Sequence, residues 1–176
     1  MNTNTASVRV VRQQTSGALA RAMSTAHAWF ARIPESLIAL LARFSIAAVF
    51  WNSGQTKVEG FALNIVSGSF EFGLPRLSSS AVDLFRDEYK LPLLPPEFAA
   101  VMATIGEHAL PLLVLLGLGT RLASFGLLVM TAVIQLLVYP GAYATHGVWA
   151  AVLLWLMLRG PGALSLDHLI AHRQRA

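Results

Sequence analysis

The chain has 176 residues, of which 55% are hydrophobic and only 12% are charged. A soluble domain usually carries about 25% charged residues, so this composition favours a small integral membrane protein. The absence of cysteine excludes thiol–disulfide exchange, iron–sulfur ligation and thiolate zinc sites. The basic residues are scattered at predicted helix ends, and no nucleic-acid partner is expected.

Residues 1–34 precede the first long apolar run and lack the apolar core of a secretory signal. Apolar residues recur at helical spacing across residues 15–33: Leu19, Met23, Ala26, Phe30 and Ile33. Arg21 and His27 fall outside this stripe. The pattern predicts an amphipathic helix that lies on the inner surface of the membrane.

Four later segments are apolar enough to cross a bilayer, which takes about 20 helical residues each. They cover residues 35–57, 97–118, 121–139 and 142–158. We expect Gly119 at the end of the second segment and Thr120 as the N-cap of the third. The fold class predicted is all-α: a four-helix membrane bundle over residues 35–170, preceded by the amphipathic segment and followed by a basic tail at 171–176.

A long loop joins the first two spans. Its stretch SSSAVDLFRDEY predicts a short helix in which Ser80 caps three residues before Asp83. A loop of this length usually folds over part of the protein, so we expect a lid on the outer face of the bundle.

Basic residues cluster on one side of the predicted topology. They lie in the N-terminal segment, in the turn between spans two and three, and after span four: Arg9, Arg12, Arg21, Arg32, Arg121, Arg159, Arg173 and Arg175. By the positive-inside rule both termini are cytoplasmic. The loops after spans one and three then face outward.

The segment VMATIGEHALPLL places Glu107 and His108 inside an apolar run. Ionisable groups at membrane depth are candidates for function. At about 1.5 Å per residue, Arg43 lies roughly 13 Å and Glu107 roughly 16 Å from the cytoplasmic side, which predicts an ion pair between them. The pair either fixes the helix register, or Glu107 accepts and delivers a proton.

Pro111 cannot donate a hydrogen bond to the carbonyl of Glu107. The freed carbonyl predicts a local kink and a small polar cavity beside the carboxylate.

His108 points about 100° away from Glu107 around the helix. The only other histidine within a predicted span is His146, at a depth that differs by roughly 10 Å or more. We therefore expect neither a bis-histidine haem nor a metal site, but a histidine that is hydrogen-bonded within the bundle.

A second polar group lies near the outward ends of the spans, with Trp51 and Trp149 nearby. Its members are Asn52, Lys57, Gln135, Tyr139, Tyr143 and His146. One interpretation is the aromatic belt of a membrane protein. The other is a pocket for a quinone ring or similar ligand, formed by Lys57, Gln135, Tyr139 and His146.

Three features together resemble the DoxX family: span one with Arg43 and its ending FWNSGQTK, span two with Glu107 followed by LPLLVLLGLGTRLA, and span three ending in VIQLLVYP. The resemblance covers residues 35–170, including LRGPGALSLDHLI near the end. The positions that match the family pattern are Arg43, Gly54, Lys57 and Glu107. The family implies a four-helix protein of the bacterial inner membrane that accompanies redox systems.

Two functions follow from this resemblance. The first is a quinone-linked subunit or partner of a membrane redox system, with no covalently bound cofactor. The second is a non-enzymatic scaffold in the lipid bilayer that recruits partners such as metal-stress proteins or peptide-modifying oxidases. The chain carries no complete catalytic set, so the sequence leaves open whether it is an oxidoreductase subunit and whether it forms a homo-oligomer.

Overall fold

The computed structural model describes residues 20–64 and 68–174. The chain divides into two units, Met1–Glu35 and Ser36–Ala176. Within the first unit, residues 20–30 are helical and a turn follows. Residues 15–19 of the predicted amphipathic helix lie outside the described part, as does the end of the basic tail, and the placement of this helix on a membrane surface stays a prediction.

Within the described residues, four helices are long and apolar enough to cross a membrane. We call them spans one to four: Glu35–Gln55, Pro96–Leu116, Thr120–Val138 and Pro140–Arg159. Each matches a predicted segment to within two residues at either end, so the prediction of four spans is confirmed. Span three ends as a π-helix, Ile134–Val138, and span four opens with a 3-10 turn, Pro140–Ala142.

The outer surface of the spans is apolar. Only 17–33% of the most apolar stretch of each span is buried inside the protein. Large side chains such as Leu41, Leu112, Leu136 and Val148 are exposed. A contiguous apolar surface of this extent suits lipid and not water.

The core between the spans is small and tightly packed. Every span contributes buried apolar residues to one cluster: Ile46, Phe50, Val114, Ala123, Leu127, Leu153 and Leu156. Phe50 contacts Trp149 with ring centroids 5.7 Å apart, which joins span one to span four.

The loop between spans one and two contains two β-strands. The prediction of an all-α fold is therefore wrong for this loop. The loop opens with an antiparallel hairpin of strand β1, Val58–Asn64, and strand β2, Ser69–Leu77. The pairing shifts between Glu59 and Phe61. Gly60 has φ +78°, and the Cβ position of Gly73 lies 2.5 Å from the Gly60 carbonyl oxygen, so only glycines let the two strands approach here.

The helix predicted in SSSAVDLFRDEY is present, but its cap is Ser78 and not Ser80. It runs as an α-helix over Ser79–Asp83 and as a π-helix over Leu84–Tyr89. The Ser78 side chain accepts a hydrogen bond from the Ser80 amide. Phe85 is buried against Ala99 and Ala100, so this helix packs on the first turns of span two.

The turn between spans two and three also differs from the prediction. Gly117, with φ +71°, ends span two, and Gly119 occupies the N-cap position of span three in place of Thr120. The capping group comes from the distant C-terminal segment: Asp167 accepts from the Gly119 amide at 2.8 Å and from the Thr120 amide at 3.1 Å. Asp167 stands at the start of the last helix, Leu166–Arg173.

We expect Asp167→Ala to destabilise the bundle, because it leaves two amides at the start of span three without an acceptor. Loss of an N-cap usually costs about 0.5–2 kcal/mol. The measurement is the free energy of unfolding in mixed detergent micelles, followed by tryptophan fluorescence. Asp87→Ala is the control, at an exposed position of the helix over residues 79–89, which we call the loop helix. Equal losses of stability in both variants would contradict the capping role.

Candidate functional site

A buried ion pair joins the end of span one to the middle of span two. Lys57 Nζ lies 2.8 Å from Glu107 Oε2. Lys57 is 2% exposed and Glu107 3% exposed. Charges at such depth are stable only when they are paired and hydrogen-bonded.

Ser53 completes the pair. Its hydroxyl donates to Glu107 Oε1 at 3.0 Å and accepts from Lys57 Nζ at 3.1 Å. The ammonium group also donates to the Ser53 carbonyl at 3.2 Å, in the last turn of span one. A cation is favoured at a helix C-terminus, so Lys57 both pairs with Glu107 and closes the helix.

The predicted Arg43–Glu107 ion pair is wrong. Glu107 pairs with Lys57, while the Arg43 guanidinium donates from Nη2 to the Leu164 carbonyl at 2.6 Å. The Cβ position of Gly117 would fall 2.0 Å from Arg43 Nη1. Arg43 therefore lies level with the end of span two.

Helix stagger explains the error. The Cβ position of Gly54 lies 3.1 Å from the Glu107 Cβ, so Gly54 and Glu107 are level, as Arg43 and Gly117 are. Counted along either helix, Arg43 and Glu107 are about 15 Å apart. The prediction assumed that span one begins at the same depth at which span two ends. In the structure, span one begins about two helical turns earlier, so that Arg43 and not Glu35 is level with the end of span two.

His108 is held by hydrogen bonds on both ring nitrogens, as predicted. Nδ1 lies 2.8 Å from the Thr104 carbonyl, which can only accept, so Nδ1 carries the proton. Nε2 then accepts from Gln55 Nε2 at 2.9 Å, and Gln55 Oε1 accepts from the Leu63 amide of β1 at 2.7 Å. This series of hydrogen bonds fixes a neutral tautomer of His108 and connects strand β1 to spans one and two.

Gly54 permits the close contact of spans one and two. A Cβ there would meet the His108 ring at 2.8 Å. Because Gly54 has no side chain, the Lys57–Glu107 ion pair and the hydrogen bonds of His108 can form next to each other.

A narrow apolar cleft opens beside these residues. It has a volume of about 170 Å³ and lies between span one, span two and the end of strand β1. Its walls are Phe44, Ala47, Ala48, Trp51, Asn52, Leu63, Asn64, Pro111, Leu112 and Leu115. Pro111 lies one turn beyond Glu107, but the space next to it is mainly apolar, unlike the polar cavity predicted from the freed carbonyl.

The other predicted pocket residues do not surround Lys57. Gln135 and His146 bind each other: the histidine Nδ1 lies 2.7 Å from Gln135 Oε1, and Gln135 Nε2 donates to the Pro140 carbonyl at 2.7 Å. His146 also contacts Trp149, with ring centroids 5.0 Å apart. This arrangement closes the junction of spans three and four.

Tyr139 faces the loop helix. Its hydroxyl donates to Glu88, and its ring meets that of Tyr89 nearly at a right angle, 5.9 Å between centroids. Burial, followed by the negative charges of Glu107 and Glu88, raises the pKa of Tyr89 above its usual value, although its contact with Tyr139 lowers it. Tyr89 therefore lies within electrostatic range of the buried pair.

Lys57 and Glu107 were predicted as separate site residues, whereas Ser53, Gln55 and Tyr89 were not predicted. Ser53 and Lys57 are four residues apart, which places them on one face at the end of a helix. That spacing was the available signal. Among the described residues, no group of three or more histidines and carboxylates is placed to hold a metal ion.

These features define a four-span integral membrane protein with a buried Lys–Glu pair at the end of the bundle next to the hairpin. The DoxX family model matches residues 38–140, which is more than half of the chain. The chain therefore belongs to the DoxX family. The match contains Arg43, Gly54, Lys57 and Glu107 and ends at the start of span four. No curated protein and no solved structure matches the chain.

We expect single substitutions in the ion pair to cost more than the double substitution. Lys57→Met or Glu107→Met leaves one buried charge without a partner, a loss of about 3–5 kcal/mol, whereas replacing both removes the need for pairing. The unfolding free energy of the three variants in mixed micelles measures this difference.

Arg86→Met is the control, because it breaks an exposed ion pair with Glu97 and should change stability little. A double variant that loses the sum of the two single losses would show that Lys57 and Glu107 do not interact.

Proposed function

We propose that this DoxX-family protein is a quinone-linked component of a membrane redox system. One observation carries the proposal: a lipid-facing cleft with aromatic walls lies within one helical turn of the buried Lys57–Glu107 pair. The bilayer would deliver the quinone, and a partner protein would deliver the electrons.

The cleft fits a single ring and little more. Pockets for drug-sized ligands usually measure about 300–1,000 Å³, and this one measures about 170 Å³. A quinone ring would enter between Trp51 and Leu112, and its isoprenoid tail would lie in lipid. Asn52 at the edge of the cleft would donate a hydrogen bond to a ring carbonyl.

The buried pair suits proton chemistry at such a ring. Reduction of a quinone consumes two electrons and two protons. The Glu107 carboxylate lies 2.8 Å from the Lys57 ammonium and accepts from Ser53, and a carboxylate is a group that could accept a proton here. Tyr89 contacts Tyr139, whose hydroxyl donates to Glu88 of the loop helix, and these groups would exchange protons with the outer surface.

The proposed topology follows the positive-inside rule. Both termini would lie in the cytoplasm, and the hairpin and loop helix would lie on the outer face of a bacterial inner membrane. The Lys57–Glu107 pair then belongs to the outer half of the bilayer.

A photoreactive quinone analogue, with the azide on the ring, tests the proposal in proteoliposomes. We expect labelling of residues 44–52 or 111–115 that excess ubiquinone suppresses. Ala48→Phe fills the cleft and should lower labelling about tenfold. Ala151→Phe, on the exposed surface of span four, is the matched control and should keep it.

Labelling that is unchanged in Ala48→Phe, or that ubiquinone does not suppress, would overturn the quinone site. A scaffold role is the second candidate, and strand β2 favours it. There Phe70, Phe72 and Leu74 alternate along the strand and so lie on one face of it. Phe72 and Leu74 are 79% and 81% exposed, and an exposed apolar face of this kind contacts partners.

A further inference from the structure

A second pocket lies at the opposite end of the bundle, where span three begins and span four ends. It has a volume of about 590 Å³, and two arginines, Arg121 and Arg159, stand among the residues that line it. The loop Gly160–Ala163 and His168 form much of the remaining wall. We propose that this pocket binds the phosphate group of an anionic phospholipid.

Glycines shape the wall of this pocket. Gly160 and Gly162 have φ +82° and +79°, which favour glycine, and turn the chain back toward span one. The Cβ position of Gly160 lies 3.8 Å from both Nε and Nη2 of Arg121. The guanidinium thus lies against a backbone that no side chain covers, and the Gly162 Cβ position lies 3.0 Å from the Ser36 Cα, which fixes the loop against span one.

The guanidinium of Arg121 keeps most of its donors for a ligand. Among the described residues it donates one hydrogen bond, from Nη2 to the Leu158 carbonyl at 3.5 Å. Arginine has five N–H donors in a fork that matches phosphate oxygens. A bidentate phosphate contact satisfies two of these donors at once.

The balance of charge in the pocket is positive. Asp167 is the one acidic residue that lines it, and both of its carboxylate oxygens accept hydrogen bonds at the start of span three. Its charge is therefore directed to the helix terminus. Arg121 and Arg159 therefore outnumber the carboxylates that line the pocket.

Position and neighbours favour a lipid over a free phosphate ion. The pocket lies at span ends, the level at which lipid headgroups sit. Leu122 and Leu158, beside the two arginines in sequence, are 80% and 77% exposed, so acyl chains would cover them. Basic pockets between span ends on the cytoplasmic side bind anionic headgroups.

Native mass spectrometry of the full-length protein, released from detergent with a defined lipid, tests this site. We expect phosphatidylglycerol to be retained at least tenfold more than phosphatidylcholine. Arg121→Gln should abolish the preference, and Arg121→Lys should retain part of it. Arg76→Gln, on strand β2, removes one positive charge elsewhere and should leave the preference unchanged.

Equal retention of the two lipids by the unmodified protein would overturn the proposal, as would an unchanged preference in Arg121→Gln. Loss of preference in both Arg121→Gln and Arg76→Gln would show a net-charge effect and no site. Competition by millimolar inorganic phosphate would show a site for the free ion and not for a lipid. Quinone labelling takes no part in these readouts, so the lipid site stands or fails independently of the proposed function.

Discussion

The buried Lys57–Glu107 ion pair is the constraint on which the hairpin end of the bundle depends. Two charges with 2% and 3% exposure are tolerable in a membrane only as a pair, because an isolated charge costs at least a few kcal/mol at this depth. Their 2.8 Å contact requires spans one and two to approach closely at Gly54. Because Lys57 directly precedes β1, the same contact also fixes where the hairpin starts.

A second polar cluster secures the opposite end. The Arg43 guanidinium holds the Leu164 carbonyl, the Asp167 amide donates to the Gly117 carbonyl at 2.9 Å, and the Asp167 carboxylate caps span three. The C-terminal segment thus joins three spans at one level. The two clusters lie about 15 Å apart along the helices, and the apolar core fills the distance between them.

Hydropathy alone predicted the spans, because the length and composition of a bilayer helix are tightly constrained. Glu107 and Lys57 were also found, since a charge in or beside an apolar run stands out. Their pairing was not, because span boundaries in sequence do not reveal the stagger between helices. The Asp167 cap was missed because it is 47 residues from Thr120 in sequence. Strand β2 does alternate Phe70, Phe72 and Leu74, which is a period-two signal. The signal is short and lies within a polar loop, so it did not lead to a predicted strand.

The protonation state of Glu107 is the most direct test of the buried Lys57–Glu107 ion pair. Infrared difference spectra between the unmodified protein and Glu107→Gln, recorded in lipid at neutral pH, report whether the glutamate is ionised. We predict that the substitution removes a carboxylate stretching band and leaves the carbonyl region of protonated carboxylic acids unchanged. Loss of a protonated carboxylic-acid band instead would show that Lys57 and Glu107 do not form an ion pair.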